Sequence, residues 1–194
     1  MTLSRRRLAQ ATALLALPGL GLDTFAQRAK DTLVLGMVLE PSPGLDPTTG
    51  AAAAIGEVVH YNVLEGLTKV TDSGAVLPLL ATDWVSDPDG KTYTFKLRSG
   101  VRFQDGTPFN AEAVKFSFER AKAPDSTNKA KKTVFDNISS IATPQADVVI
   151  LTLNNPDATL PFRLGEAPAV ILSPKSAATT ATQPVGTGPF RLDS

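Results

Sequence analysis

The chain has 194 residues, 42% of them apolar and 20% charged, with 14 Gly and 15 Pro, which excludes a disordered, collagen-like or coiled-coil chain. Basic and acidic residues both number 19, without a long like-charge block, so wholesale nucleic-acid binding and polybasic membrane attachment are excluded as well. There is no Cys and a single His, which removes disulfides, thiol catalysis and the usual zinc sites.

In chain order, the first element predicted is an address. Arg5, Arg6 and Arg7 precede an apolar run, Leu8–Leu17, which Pro18 and Gly19 break before Thr24-Phe25-Ala26. A basic start, an apolar centre and small residues at the exit predict a secretory signal peptide over residues 1–26. The apolar run is too short to cross a hydrocarbon core about 30 Å thick. Ser4–Leu8 resembles the twin-arginine signal, but Ala9 and Gln10 stand where that signal prefers a hydrophobic and a basic residue, so both export routes stay open. Removing residues 1–26 takes away three arginines and Asp23, leaving 16 basic against 18 acidic residues. An exported product favours a hydrolase or a binding protein over a cofactor enzyme.

Asp31–Leu39 reads as a buried strand that ends in the Pro41–Gly44 loop. Ala52–Leu64 reads as a helix with Ile55, Val59 and Val63 on one stripe and Gly66 at its C-terminal cap. Leu67–Val70 and Val76–Leu79 read as short strands joined by Asp72-Ser73-Gly74. Trp84–Ser86 and Thr92–Arg98 flank the turn sequence Asp87-Pro88-Asp89-Gly90. Tyr93, Phe95 and Leu97 alternate with polar neighbours, the mark of a half-buried antiparallel strand. Val101 and Phe103 begin another short strand, closed by Asp105-Gly106, and Asn110 caps a helix running to about Ala121. Ala123–Lys132 reads as a surface loop or a frayed helix, and Asp147–Leu153, apolar on both faces, as a central strand. A helical turn near Ala158–Leu164, a strand at Ala169–Leu172 and a linker at Thr179–Pro184 complete the chain. Locally paired strands mixed with helices indicate an α/β (mixed α+β) fold.

Catalytic constellations are scarce. The sequence has no Gly-x-Ser-x-Gly elbow, phosphate-binding Gly-rich loop or His-Glu-x-x-His pair. His60 falls on the first predicted helix, where a partly exposed structural histidine is the simpler reading. Asp87, Asp89, Asp105 and Asn110 are explained as turn and cap residues. Gly186-Thr187-Gly188-Pro189 has no following helix or lysine to support a phosphate, and reads as a bend.

Three stretches, in this order, resemble the family 5 extracellular solute-binding proteins, the peptide/nickel/opine-binding subunits of ABC importers. They are EPSPGLDP (Glu40–Pro47) with the later Leu64-Glu65-Gly66-Leu67, the long segment Leu79–Arg120, and PVGTGPFRL (Pro184–Leu192). The resemblance implies part of a type II periplasmic-binding-protein lobe, with a mixed sheet, antiparallel hairpins and flanking helices, and with the second lobe absent. Residues 27–194 would be the N-terminal part of a solute-binding domain that works in the periplasm without a cofactor. Its implied partners are a small peptide or similar solute and ABC permease subunits, not nucleic acid. Glu40, Pro41, Ser42 and Pro43 correspond to a stretch that lines the ligand chamber in relatives. Glu40 would meet a positive group or a backbone N–H, and a solvated loop acid is the other reading. Gly186 and Gly188 would serve the crossover between lobes, with an ordinary turn as the alternative. No catalytic or metal residue is implied. Ala113 departs from the family, which usually carries an acid there, and the chain is far shorter than its relatives. The competing readings are a nickel or metallophore binder of the same family, an exported hydrolase built around His60, and a remnant of an interrupted gene.

Overall fold

The computed structural model describes residues 36–193. The expected signal peptide and the first part of the strand expected at Asp31–Leu39 lie outside them. Gly36–Leu39 carry no strand; Val38 is fully exposed, and among the described residues no β-partner lies beside this stretch to hold it.

Helix α1 spans Ala53–Val59 and buries Ala54, Ile55 and Val59. It is shorter than the sequence periodicity predicts, because Tyr61 takes a left-handed backbone at φ 62° and folds the chain back. That conformation costs a bulky residue on the order of 1–3 kcal/mol. The Tyr61 hydroxyl offsets it by donating to the Gly165 carbonyl at 2.5 Å while accepting from the Val70 amide at 2.9 Å. Gly66 is therefore no helix cap. Its role is close approach, since a Cβ there would come within 2.5 Å of the Leu164 carbonyl oxygen.

Strands β1 (Thr68–Val70) and β2 (Val76–Pro78) form the expected small hairpin. The main sheet holds β3 (Ala81–Ser86), β4 (Thr92–Leu97), β5 (Ile138–Gln145) and β6 (Val148–Leu153) in the order β3-β4-β6-β5, all neighbours antiparallel. The β3–β4 turn closes as the sequence predicts. Gly90 sits at φ 66°, a conformation glycine adopts freely, and its amide donates to the Asp87 carbonyl at 2.9 Å. Tyr93, Phe95 and Leu97 all face the core.

Helix α2 (Ala111–Lys122) begins where Asn110 accepts the Ala113 amide at 3.0 Å through its side chain. Its buried stripe, including Val114, Phe118 and Ala121, packs on the core face of the sheet with Phe95, Val149, Leu151 and Phe135. A second, smaller apolar cluster joins Ile55, Val59, Val63 and Leu64 to Val170, Leu172 and Ala177. The helical turn expected near Ala158–Leu164 is α3 (Leu160–Arg163).

Three further expectations are corrected. Val101–Phe103 contributes only one bridge, Arg102 with Pro108. Ala169–Leu172 is buried but not a strand: the Ile171 amide donates to the Glu65 carbonyl at 2.8 Å and the Leu172 amide to the Ser117 hydroxyl at 3.0 Å. Single tertiary partners there replace a ladder. Thr179–Pro184 is no free linker either, because Thr180 is buried and the Ala181 carbonyl accepts the Leu45 amide at 2.7 Å.

Candidate functional site

Three segments remote in sequence are tied together by hydrogen bonds, directly or through their neighbours. The first is the loop carrying Glu40–Pro43. Glu40, Ser42 and Pro43 are exposed and Pro41 is half-buried, and none of the four uses its side chain in a hydrogen bond among the described residues. They project from a firmly anchored base. Asp46, only 4% exposed, accepts the Thr48 amide at 2.8 Å and the Thr48 hydroxyl at 2.6 Å on one oxygen. Its other oxygen accepts Arg120 Nη2 at 2.9 Å, and Arg120 Nη1 donates to the Thr48 hydroxyl. Arg120 comes from the last turn of α2, so this ion pair ties the first of the resembling stretches to the second.

The second segment is the turn after Phe103. Asp105 has the local role read from the sequence, accepting the Thr107 amide at 2.9 Å and the Thr107 hydroxyl at 2.5 Å. Its other oxygen accepts Ser173 Oγ at 2.6 Å and Ser176 Oγ at 2.8 Å. Desolvation opposes ionisation of Asp105, but the hydrogen bonds from Ser173, Thr107 and Ser176 together outweigh it and hold the carboxyl well below the usual carboxylate range. Sequence reasoning missed this cross-chain role, because nothing local to Asp105 announces serines nearly 70 positions away.

The third segment is Pro184–Leu192. Gly186 and Gly188 lie against the backbone of Asn62 and Val63, so close that a Cβ on Gly186 would run into the Val63 carbonyl oxygen and one on Gly188 into that of Asn62. The Gly188 amide donates to Val63 O and the Phe190 amide to Asn62 O, each at 3.0 Å. A cavity of about 260 Å³ opens between Gln104–Asp105, Thr182–Val185 and Arg191–Asp193. Gly186 and Gly188 sit on the stretch joining two of its walls. Glu40–Pro43 do not line it; their loop reaches it through the bond from Leu45 to Ala181, next to Thr182.

His60 stands apart from this cavity and just past the end of α1. Its ring stacks on Tyr61 at 3.7 Å, and its Nε2 is buried without a hydrogen-bond partner among the described residues. Burial drives its pKa down to about 4, with Lys69 acting in the same direction and the Gly165 backbone opposing. The partial exposure read from the sequence holds, but the helix position is corrected, because α1 ends at Val59 and His60 lies just past it. No group of three or more metal-ligating side chains occurs among the described residues.

Residues 75–194, more than half of the chain, match the family described as bacterial extracellular solute-binding proteins, family 5, middle region. The chain belongs to this family. The glutathione-binding protein GsiB of Escherichia coli (strain K12) is 33% identical over 189 residues, which make up 95% of this chain and 35% of that protein. Among solved structures, the binding protein AgaA from A. tumefaciens R10, in complex with agropinic acid, matches with a TM-score of 0.72 at 32% identity, over 80% of this chain and 32% of AgaA. The periplasmic binding protein DppA from Helicobacter pylori, in complex with the peptide STSA, matches with a TM-score of 0.67 at 29% identity, over 78% of this chain and 34% of DppA. The chain therefore spans about a third of the length of these relatives. Its mixed α/β architecture is that of part of a periplasmic-binding-protein lobe.

Proposed function

We propose that residues 27–194 are the N-terminal part of a periplasmic solute-binding domain that captures dipeptide- or oligopeptide-like solutes for an ABC importer, after residues 1–26 have directed export. The family match across β3 to the final segment carries this reading. The relatives are binding proteins; two of them carry glutathione in the name or a peptide in the complex. Such a protein works by enclosure: two lobes close on the solute, fixed protein hydrogen bonds replace its water, and the closed form is the one a permease would select.

In this reading the Glu40–Pro43 loop borders the solute chamber. Among the described residues its side chains make no hydrogen bond, and its base is locked by Asp46, Thr48 and Arg120, so it can offer contacts without first breaking its own. Gly186 and Gly188 belong to the passage toward the second lobe.

Two measurements test the proposal. Periplasmic fractions should contain a product beginning at Gln27, and an unprocessed cytoplasmic protein would contradict the export reading. Titration calorimetry of the folded chain with glutathione and a dipeptide mixture should show no saturable heat, because these residues cover a solute from one side only. Micromolar binding by the chain alone would contradict the two-walled chamber.

A further inference from the structure

The residue next to Asp105 makes an arrangement that the enclosure mechanism does not by itself require. Gln104 Nε2 donates to the Gly188 carbonyl at 3.1 Å and to the Phe190 carbonyl at 2.6 Å, while its Oε1 accepts the Gly186 amide at 3.2 Å. Its own amide donates to the Gly186 carbonyl at 2.9 Å. One side chain thus contacts three alternate residues of the segment, Gly186, Gly188 and Phe190, from one edge. From the other edge, Asn62 and Val63 accept the Phe190 and Gly188 amides. Gly186 to Phe190 is held on both sides, and the two glycines are needed for contact with Asn62 and Val63.

We infer that Gln104 is a positioning residue that clamps Gly186–Phe190 against Asn62 and Val63, so that the two glycines form a fixed seat and not a flexible joint. The inference deepens the proposed function, because it makes the glycines assigned to the passage toward the second lobe a fixed part of this unit. The amide group is essential to it. A glutamate of the same size could still accept from Gly186, but when ionised it would point acceptors at the carbonyls of Gly188 and Phe190. A protonated glutamate regains one donor.

Hydrogen exchange on the whole chain, resolved by amide, tests this without any solute, so its outcome is independent of whether the chain binds peptides. In the wild type, the amides of Gly186, Gly188 and Phe190 should be protected. Gln104→Ala should lower protection at least tenfold at Gly186, whose amide loses its acceptor, and at Gly188 and Phe190, whose carbonyls lose their donor, with the β4 and β6 amides unchanged. Gln104→Glu should keep Gly186 protected, match the alanine variant at Gly188 and Phe190 at pH 7, and regain protection there, relative to wild type at the same pH, as pH falls below about 4.3, the ordinary glutamate value. The pH profile distinguishes loss of the donor from a general loss of packing, and it decides the matter should Gln104→Ala fail to fold. Unchanged protection in both variants, or a Gln104→Glu variant indifferent to pH, would overturn the inference.

Discussion

The sheet with α2 and the group of segments around Asp105 are built by different physics. In the first, β4 and β6 pair in continuous register, β3 joins β4 with one shift between Ala81 and Asp83, and α2 packs Val114 and Phe118 with Phe95, Val149 and Leu151. Burial of apolar surface holds it, and each contact is reinforced by its neighbours along the ladder. In the second, Glu40–Gly50, Gln104–Thr107, Ser173–Ser176 and Pro184–Phe190 have little regular structure. They are joined by carboxylates, hydroxyls, one glutamine amide and close backbone contact. The apolar layer gives the unit its stability, and the polar ties fix the relative positions of the loops that the proposed binding function would use.

The comparison can be broken by substitution. Phe95, fully buried between sheet and helix, should show the largest effect: Phe95→Ala should cost about 3–5 kcal/mol in denaturant unfolding. A cost below 1 kcal/mol would deny that this layer is the foundation. Asp105→Ala comes next, about 2–3 kcal/mol, since it strands the Ser173, Ser176 and Thr107 donors. Because ionisation of Asp105 is favoured by folding, its contribution is complete above the ordinary aspartate value and fades as pH falls through its depressed folded value. The stability gap between wild type and Asp105→Asn should accordingly narrow in acid; a gap that widens there would refute the assignment. Arg120→Ala should cost about 2 kcal/mol by leaving the buried Asp46 carboxylate without its cation. Lys96→Ala, which removes the exposed ion pair to Asp147, should leave the melting temperature unchanged within measurement scatter.

The two regions also differ in how much of them is legible in sequence. Alternation in Thr92–Leu97, the Asp-Pro-Asp-Gly turn and the Asn110 cap each carry their cause within a few residues, and the structure realises all three. Strand β5 escapes such reading because Ile138–Gln145 is largely polar, contains Pro144 and is mostly exposed. It is a strand only because β6 presents an edge to it, across two register shifts. Ala169–Leu172 misleads in the opposite sense, apolar enough for a strand but satisfied by one carbonyl and one hydroxyl. The candidate site was visible as glycines and a loop, yet its binding together was not. The Asp46–Arg120 pair and the bonds from Gln104 and Asp105 span more than 60 positions, and no local pattern encodes them.

The central claim, that these residues form one wall of a solute-enclosing chamber, is tested most directly by transplantation. Residues 37–193 would replace the equivalent third of E. coli GsiB, and the folded chimera would be titrated with glutathione and with di- and tripeptides. The account predicts saturable binding of at least one peptide solute, lost when Glu40–Pro43 is replaced by a glycine-serine loop. A chimera with a cooperative unfolding transition that binds none of these solutes would contradict it.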